Sequence, residues 1–171
     1  SRILKEAGVK FAVMGPEETC TGDPARRLGE EALFQELAMT NIETMNRFSV
    51  KKIIANCPHC FNSIKNEYPD FGSDVEVLSH TEFLASLVKE GKLNPKKSID
   101  EEITYHDPCY LGRHNRVFDE PREILASIPG LEVKELERSR ETSFCCGAGG
   151  GKIWMEEEAP RVNWNLSLIH I

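Results

Sequence analysis

The sequence predicts an α/β fold of mainly parallel sheets with flanking helices. Short β-prone runs alternate with helical segments along most of the 171 residues, which is the pattern of strand–helix–strand units. Cysteine-bearing turns follow these runs, and binding sites in parallel sheets lie at the carboxyl ends of the strands. We therefore expect the cysteines to meet at strand ends.

The first part of the chain is predicted to contain two helices and one strand. Residues 1–8 are typical of the last turns of a helix ended by Gly8, and residues 10–14 of a short strand leading to Cys20. Asp23 is a good N-cap, so the next helix is predicted over residues 24–39. Its apolar side is assigned to Leu28, Ala32, Leu33 and Leu37, and the core is assigned Met39 and Met45.

The CxxC sequence Cys57-Pro58-His59-Cys60 follows a buried strand predicted over residues 50–55 and starts the next helix. Unpaired N–H groups at a helix N-terminus favour thiolates, which suits a metal and a redox disulfide equally. One face of this helix is assigned to Phe61, Ile64 and Tyr68.

The middle of the chain is predicted to contain a strand over residues 75–78 and a helix ended by Gly91. Ser79 and Glu82 form a capping-box pattern at the start of that helix. Residues 92–102 are polar, charged and broken by proline, as in a connection between units. We place the boundary there, which gives units 1–95 and 96–171.

The second unit repeats the alternation of strands and helices. A strand over residues 103–106 leads to Asp107-Pro108-Cys109, a helix spans 121–128, and a strand over 131–136 precedes Cys145-Cys146. Asp107 is assigned to capping the turn that follows it.

Composition and charge exclude several classes of function. With 28 acidic and 21 basic residues, the net charge is -7 and the basic residues are scattered, which argues against a nucleic-acid partner. No apolar run approaches the roughly 20 residues that span a bilayer, and no signal peptide is visible. The six cysteines are then expected in a reducing, cytoplasmic compartment, as metal ligands or redox groups.

The cysteines are the candidate site residues, and no catalytic residue is assigned. Adjacent thiols rarely form a disulfide with each other, so the Cys145-Cys146 pair is predicted to face an inorganic centre. Gly147, Gly149 and Gly150 keep the following backbone thin, so that its N–H groups can approach that centre. The predicted ligands are Cys20, Cys57, Cys60, Cys109, Cys145 and Cys146.

An offset internal repeat relates the two units. Cys20-Thr21-Gly22 corresponds to Cys145-Cys146-Gly147, and Arg2-Ile3-Leu4 corresponds to Arg122-Glu123-Ile124-Leu125. The chain thus holds the back of one unit and the front of a second. Since Cys57 follows Cys20 by 37 residues, a CxxC of the second copy is expected at position 182, past residue 171. Both units are therefore expected to be incomplete.

These motifs resemble a known family. The order Cys20-Thr21-Gly22, Cys57-Pro58-His59-Cys60, Cys109 and Cys145-Cys146-Gly147 resembles the cysteine-rich CCG domain of heterodisulfide reductase. It is also similar to the iron-sulfur subunits of glycolate oxidase, of anaerobic glycerol-3-phosphate dehydrogenase and of lactate utilisation. Residues 106–113 and 145–151 are especially similar to bacterial iron-sulfur oxidoreductases whose complete forms carry a membrane cytochrome-like part and ferredoxin motifs.

The resemblance implies an iron-sulfur electron-transfer subunit of an oxidoreductase with [4Fe-4S] clusters, which are non-cubane in heterodisulfide reductase. It assigns Cys20, Cys57 and Cys60 to the first copy and Cys109, Cys145 and Cys146 to the second. Thr21 stands where a second Cys is expected, and three thiolates per group fall short of the usual four. The chain alone is therefore expected to be inactive and is a candidate for binding no cluster. Residues 165–171 differ from the expected continuation and are a candidate for foreign sequence.

The resemblance also implies partners. These are redox subunits of the flavoprotein or ferredoxin type and a membrane quinone-linked module. The expected location is the cytoplasm, with attachment to the cytoplasmic face of the membrane through partners or missing parts.

Two other functions stay open. A thioredoxin-like thiol:disulfide oxidoreductase would use Cys57 and Cys60, but it leaves Cys145-Cys146 unexplained. A structural zinc module would use four of the six thiols. His59 and His106 are assigned hydrogen-bonded or surface roles rather than ligation, and so are His80 and His114, which have no obvious companions.

Overall fold

The computed structural model describes residues 1–156 and 162, where short helices alternate with two small parallel sheets. The predicted α/β class is confirmed. The helices are α1 (Arg2–Glu6), α2 (Asp23–Arg27), α3 (Glu31–Arg47), α4 (Pro58–Asn62), α5 (His80–Lys89) and α6 (Asp119–Ala126). The strands are β1 (Lys52–Ala55), β2 (Glu76–Ser79), β3 (Glu101–Thr104) and β4 (Leu131–Lys134).

Each sheet is a pair of parallel strands. β1 pairs with β2, with Lys52 opposite Glu76, and β3 pairs with β4, with Glu101 opposite Leu131. α5 packs against α6, and Lys89 Nζ lies 2.8 Å from Glu123 Oε2 across that contact. The two sheets thus fall on either side of the predicted boundary and are joined through their helices.

The main core lies between α3 and the helical segment that follows β1. That segment begins as α4, continues as a π-helical turn over Ser63–Glu67 and ends as a 3-10 turn over Tyr68–Phe71. The predicted face of Phe61, Ile64 and Tyr68 is confirmed as buried. The residues of α3 that pack against it are Phe34, Ala38, Ile42 and Met45.

The helix predicted over residues 24–39 is wrong in its bounds and its face. The chain leaves the helix after Arg27, turns through Gly29 at a φ of 91°, and forms α3 as a separate helix that ends at Arg47. The buried face includes Met45, as assigned, whereas Met39 is 57% exposed. Three of the residues assigned to the apolar side, Leu28, Ala32 and Leu33, are exposed.

The strand predicted over residues 10–14 is also wrong. This stretch has no regular structure, and Val13 is 74% exposed. A β-prone run forms a strand only beside another strand, and no described strand lies next to this one. Cys20 is consequently not at a strand end.

The other predicted strands and helices are present within a few residues of their expected bounds. The capping box of Ser79 and Glu82 forms as predicted. Among the described residues, no helix is both long and apolar enough to cross a membrane. The tail over residues 165–171 lies outside the described part of the chain.

Candidate metal centre

The first cysteine group comprises Cys20, Cys57 and Cys60. Cys57 is the N-cap of α4, directly after β1, and Cys60 lies in the first turn of that helix. The Cys60 sulfur interacts with the Cys57 thiol and is near Cys20, and it accepts a hydrogen bond from Thr21 Oγ1 at 3.4 Å. The structure therefore brings these three thiols together, as predicted from the sequence.

Thiolate formation in this group is concentrated on Cys57. The hydrogen bond from the Cys60 thiol lowers the pKa of Cys57 to about 5, and the backbone N–H groups of Cys60 and His59 add to this effect. The pKa of Cys60 is raised, first because its proton is held by Cys57 and then because it is buried. At neutral pH the CxxC segment therefore carries one thiolate and one thiol.

A buried polar network holds the loop that carries Cys20. Asn41 of α3 donates from Nδ2 to the carbonyl of Cys20 at 3.0 Å, and Tyr68 donates its hydroxyl to the carbonyl of Thr21 at 3.1 Å. Thr19 Oγ1 donates to Asn41 Oδ1 at 3.0 Å. No sequence signal marks this role of Asn41, because its partners lie about twenty residues away or more and two of them are reached through backbone atoms.

The second cysteine group comprises Cys109, Cys145 and Cys146. Burial, followed by the neighbouring thiol of Cys145 within hydrogen-bonding range, raises the pKa of Cys109, and Cys146 also lies nearby. Cys109 and Cys145 are half-buried and Cys146 is exposed. The structure thus brings this second predicted set together from two separate loops.

Asp107 holds the loop before Cys145 and does not cap the turn to which it was assigned. Its buried carboxylate accepts from Arg122 Nη1 at 2.8 Å and Nη2 at 2.9 Å and from the backbone N–H of Arg140 at 2.7 Å. Its carbonyl accepts from Ser143 Oγ at 2.9 Å. A carboxylate beside a guanidinium forms a bidentate pair, which outweighs the local turn.

Two of the histidines also anchor this site. His106 donates from Nε2 to the carbonyl of Phe144 at 2.8 Å, and His59 Nδ1 lies 2.8 Å from Asp23 Oδ2. Both make hydrogen bonds, as assigned. His114 has a companion that the sequence did not reveal, since its ring stacks on Tyr110 with centroids 4.4 Å apart.

The repeat is visible in the geometry of sulfur contacts. The backbone N–H of Gly22 points to Cys20 Sγ at 3.4 Å, and that of Gly147 points to Cys145 Sγ at the same distance. The two glycines have φ of 82° and 77°. This left-handed conformation, which turns the N–H back to the sulfur, favours glycine at both positions.

The glycines after the second group lie against the first unit. A Cβ built on Gly149 would be 3.0 Å from His59 Cε1, and one on Gly150 would be 3.3 Å from Arg27 Cβ. Their thin backbone admits side chains of the first unit, which the sequence did not predict.

The thiols in each group do not converge on a single point. In the described ranges, no set of three or more His, Cys, Asp and Glu side chains is arranged to hold one metal ion. A structural zinc site needs four ligands within about 2.3 Å of one ion. The spread of the thiols is therefore more compatible with a polynuclear centre, whose ligands sit on different metal atoms.

Comparison with known proteins identifies the family. A family model described as a cysteine-rich domain, CCG, matches residues 1–65 and 103–166. The chain belongs to the CCG cysteine-rich domain family. This confirms the resemblance seen in the cysteine motifs, and the two matched segments accord with two CCG units.

Relatives of this CCG chain are named as oxidoreductases or their subunits. It is 58% identical over 158 residues to the probable iron-sulfur-binding oxidoreductase FadF of Bacillus subtilis, covering 92% of this chain and 22% of that protein. It is 54% identical to the EtfAB:quinone oxidoreductase of Syntrophomonas wolfei, with the same coverage. It is 43% identical to one subunit of the dihydromethanophenazine:CoB–CoM heterodisulfide reductase of Methanosarcina barkeri, covering 88% of this chain and 38% of that relative.

The CCG chain spans only part of these relatives, about a fifth of the first two. No solved structure matches it.

Proposed function

We propose that this chain is the part of an iron-sulfur electron-transfer subunit that supplies two groups of cysteine ligands. The observation that carries the proposal is the assembly of thiols from four separate segments into two groups, Cys20 with Cys57 and Cys60, and Cys109 with Cys145 and Cys146. None of the six is in a disulfide. Free thiols gathered in this way suit iron and sulfide better than they suit a hydrophobic core.

The residues around the thiols fit a cluster. The N–H groups of Gly22 and Gly147 already point at sulfur, and hydrogen bonds to cysteine sulfur are one means by which proteins set the potential of such centres. Thr21 Oγ1 makes a third contact of this kind, to Cys60. The lowered pKa of Cys57 supplies one thiolate without a metal having to displace its proton.

An iron-sulfur cluster bound here would supply reversible one-electron transfer. The chain's own residues would hold its ligands, with Asn41 fixing the loop of Cys20 and Asp107 fixing the loop before Cys145. We propose the [4Fe-4S] type, non-cubane by the family resemblance. Because each group supplies three thiolates, the remaining ligand comes from other cysteines or from a small thiol.

We further propose that the partners are a flavoprotein or ferredoxin-type protein and a membrane quinone-linked module. The relatives named EtfAB:quinone oxidoreductase and probable membrane-anchored ferredoxin support these choices. The proposed location is the cytoplasmic face of the membrane, reached through partners. The division into units 1–95 and 96–171 stays a prediction, and the two segments matched by the family model flank it.

Anaerobic reconstitution of the chain with iron and sulfide, in buffer containing a small thiol, tests the proposal. We expect visible charge-transfer absorbance together with iron and acid-labile sulfide. Cys57→Ser and Cys109→Ser should each remove the iron of one group, and the double variant should remove both. His80→Ala, in which the histidine at the start of α5 is replaced, is a control that should bind as the parent does.

Two outcomes would contradict the proposal. A colourless protein that binds stoichiometric zinc and no sulfide would identify a zinc module. Absence of bound iron together with a reversible Cys57–Cys60 disulfide would identify a thiol:disulfide oxidoreductase, a function that the lowered pKa of Cys57 also suits.

A further inference from the structure

The side chain of His59 touches all the segments that carry the cysteines. It belongs to the CxxC segment itself, between Cys57 and Cys60. It also contacts the residue after Cys20-Thr21-Gly22, the residue after Cys109 and the glycine-rich segment after Cys146. One imidazole therefore connects the two cysteine groups.

The contact with the Cys20 segment is a hydrogen bond to a buried carboxylate. His59 Nδ1 lies 2.8 Å from Asp23 Oδ2, and Asp23 is 3% exposed. The other oxygen of Asp23 accepts from Arg27 Nε at 3.1 Å. Since a carboxylate only accepts, Nδ1 is the donor, and this fixes the orientation of the imidazole ring.

The contact with the Cys109 segment is a ring stack. The centroids of His59 and Tyr110 are 4.1 Å apart with an interplanar angle of 30°, and the ring of His114 also stacks on Tyr110. The guanidinium of Arg27 lies 5.8 Å from the centroid of the same tyrosine. The ring next to Cys109 is thus held between groups from both units.

The contact with the Cys145-Cys146 segment is a close approach of backbone to ring edge. A Cβ on Gly149 would lie 3.0 Å from His59 Cε1 and 3.4 Å from Nε2. Contacts at 3.0 Å are tighter than most real Cβ contacts, so only glycine fits here without displacing the imidazole. The orientation set by Asp23 therefore also sets where this segment can lie.

We propose that His59 is a positioning residue that fixes the two cysteine groups relative to each other, by joining Asp23, Tyr110 and Gly149. Its two kinds of interaction are separable, because the hydrogen bond holds the Cys20 segment and the ring surface holds the Cys109 segment. The inference goes beyond the proposed function, since it concerns the arrangement of the chain before any metal binds.

Amide hydrogen exchange of the metal-free chain, followed by mass spectrometry, tests this inference. In His59→Ala we expect exchange to rise about tenfold in residues 20–27, 107–116 and 145–152, because those segments lose a shared contact. His80→Ala is the matched control and should leave these segments unchanged. A rise confined to residues 57–62 would overturn the inference.

Two conservative variants make the test sharper and replace His59→Ala if that variant does not fold. His59→Asn keeps a donor near Asp23 but no ring, so it should protect residues 20–27 and not 107–116. His59→Phe keeps the ring but no donor, so it should protect residues 107–116 and not 20–27. If both variants exchange like His59→Ala in every segment, the inference fails. The result does not depend on iron binding, so it is independent of the reconstitution test.

Discussion

At the scale of single residues, the repeat is most exact in the N–H to sulfur contacts of Gly22 and Gly147. Each requires a left-handed backbone conformation two residues after a cysteine. Gly22 has an additional constraint, because a Cβ there would be 2.8 Å from Phe34 Cδ2. Gly29 has a similar φ of 91° but open space where its Cβ would be.

We therefore expect Gly22→Ala to destabilise the fold more than Gly29→Ala does. Both substitutions introduce backbone strain, and only the first also overpacks the core, which typically costs about 1–3 kcal/mol. Urea unfolding measures the free energy of unfolding of both variants. Equal losses in the two variants would show that the contact with Phe34 carries no cost.

Asp107 predicts how stability depends on pH. Burial alone would raise its pKa, but the hydrogen bonds from Arg122 and from the N–H of Arg140 outweigh burial and lower it. A carboxyl whose pKa is lower in the folded state stabilises the fold above its unfolded value of about 3.9. That stability is lost as the pH falls below about 4 toward the folded pKa. Glu135, whose pKa the hydrogen bond from Arg122 lowers, acts with the same sign.

Asp107→Asn should cost about 3 kcal/mol at neutral pH, because it breaks a buried ion pair. Its loss of stability between about pH 5 and pH 2 should be smaller than that of the parent, so the two curves approach each other in acid. Urea midpoints measured across that range check both statements. Parallel curves for parent and variant would mean that Asp107 is not the group being protonated.

Sequence patterns were informative about which residues carry the chemistry and uninformative about which residues hold them. The six cysteines are grouped as their motifs predict, since spacing and strand ends are visible in sequence. Asn41 and Arg122 could not be found in this way. Their partners are a backbone carbonyl and a carboxylate distant in the chain, so no local pattern marks them.

At the scale of secondary structure, helix starts were predicted better than helix continuity. The start of α4 at Pro58 and the capping box of α5 depend on neighbouring residues, and both formed as expected. The separation of α2 from α3 depends on Gly29 at a φ of 91°. A single glycine within a helical pattern is often tolerated, so the sequence alone does not show that the chain turns there.

The capping box of α5 leads to a prediction about helix stability. Ser79 Oγ accepts from the N–H of Glu82 at 3.2 Å, and Glu82 Oε2 accepts from the N–H of Ser79 at 2.8 Å. Ser79→Ala should lower the free energy of unfolding by about 1 kcal/mol. Ser86→Ala is the control within the same helix. Its hydroxyl bonds the carbonyl of Phe83, a contact that adds little to helix stability.

The measurement is thermal or urea unfolding of both serine variants. A loss for Ser86→Ala as large as that for Ser79→Ala would indicate that burial of the hydroxyl, and not capping, sets the effect.

At the scale of the whole molecule, the α/β class was predictable and the contact between units was not. Alternating strands and helices show in the sequence because each unit pairs strands that are near neighbours along the chain. The units meet through side chains whose partners lie far away. Asn115 Nδ2 donates to Asn62 Oδ1 at 3.1 Å, and Asn66 Nδ2 donates to Asn115 Oδ1 at 2.9 Å.

Asn115→Ala should therefore weaken the contact between units. The variant loses the hydrogen bonds to Asn62 and Asn66, at a cost of about 1–2 kcal/mol. The control is Asn94→Ala, in the connection between the units, which should be close to neutral. Unfolding followed by Trp fluorescence and by circular dichroism measures the change. If both variants are equally stable, the asparagine contact does not join the units.

Each strand pairs on one side only within the described part of the chain, so its other side leaves backbone donors and acceptors without a sheet neighbour. Such edges are templates for lateral association. Charged cross-strand pairs border both sheets, Lys52 with Glu76 and Lys134 with Glu102, and they oppose stacking of one copy on another. Because salt screens these charges, self-association should increase with ionic strength, as light scattering can measure. Dilute, low-salt solutions are thus the conditions under which the chain should stay dispersed.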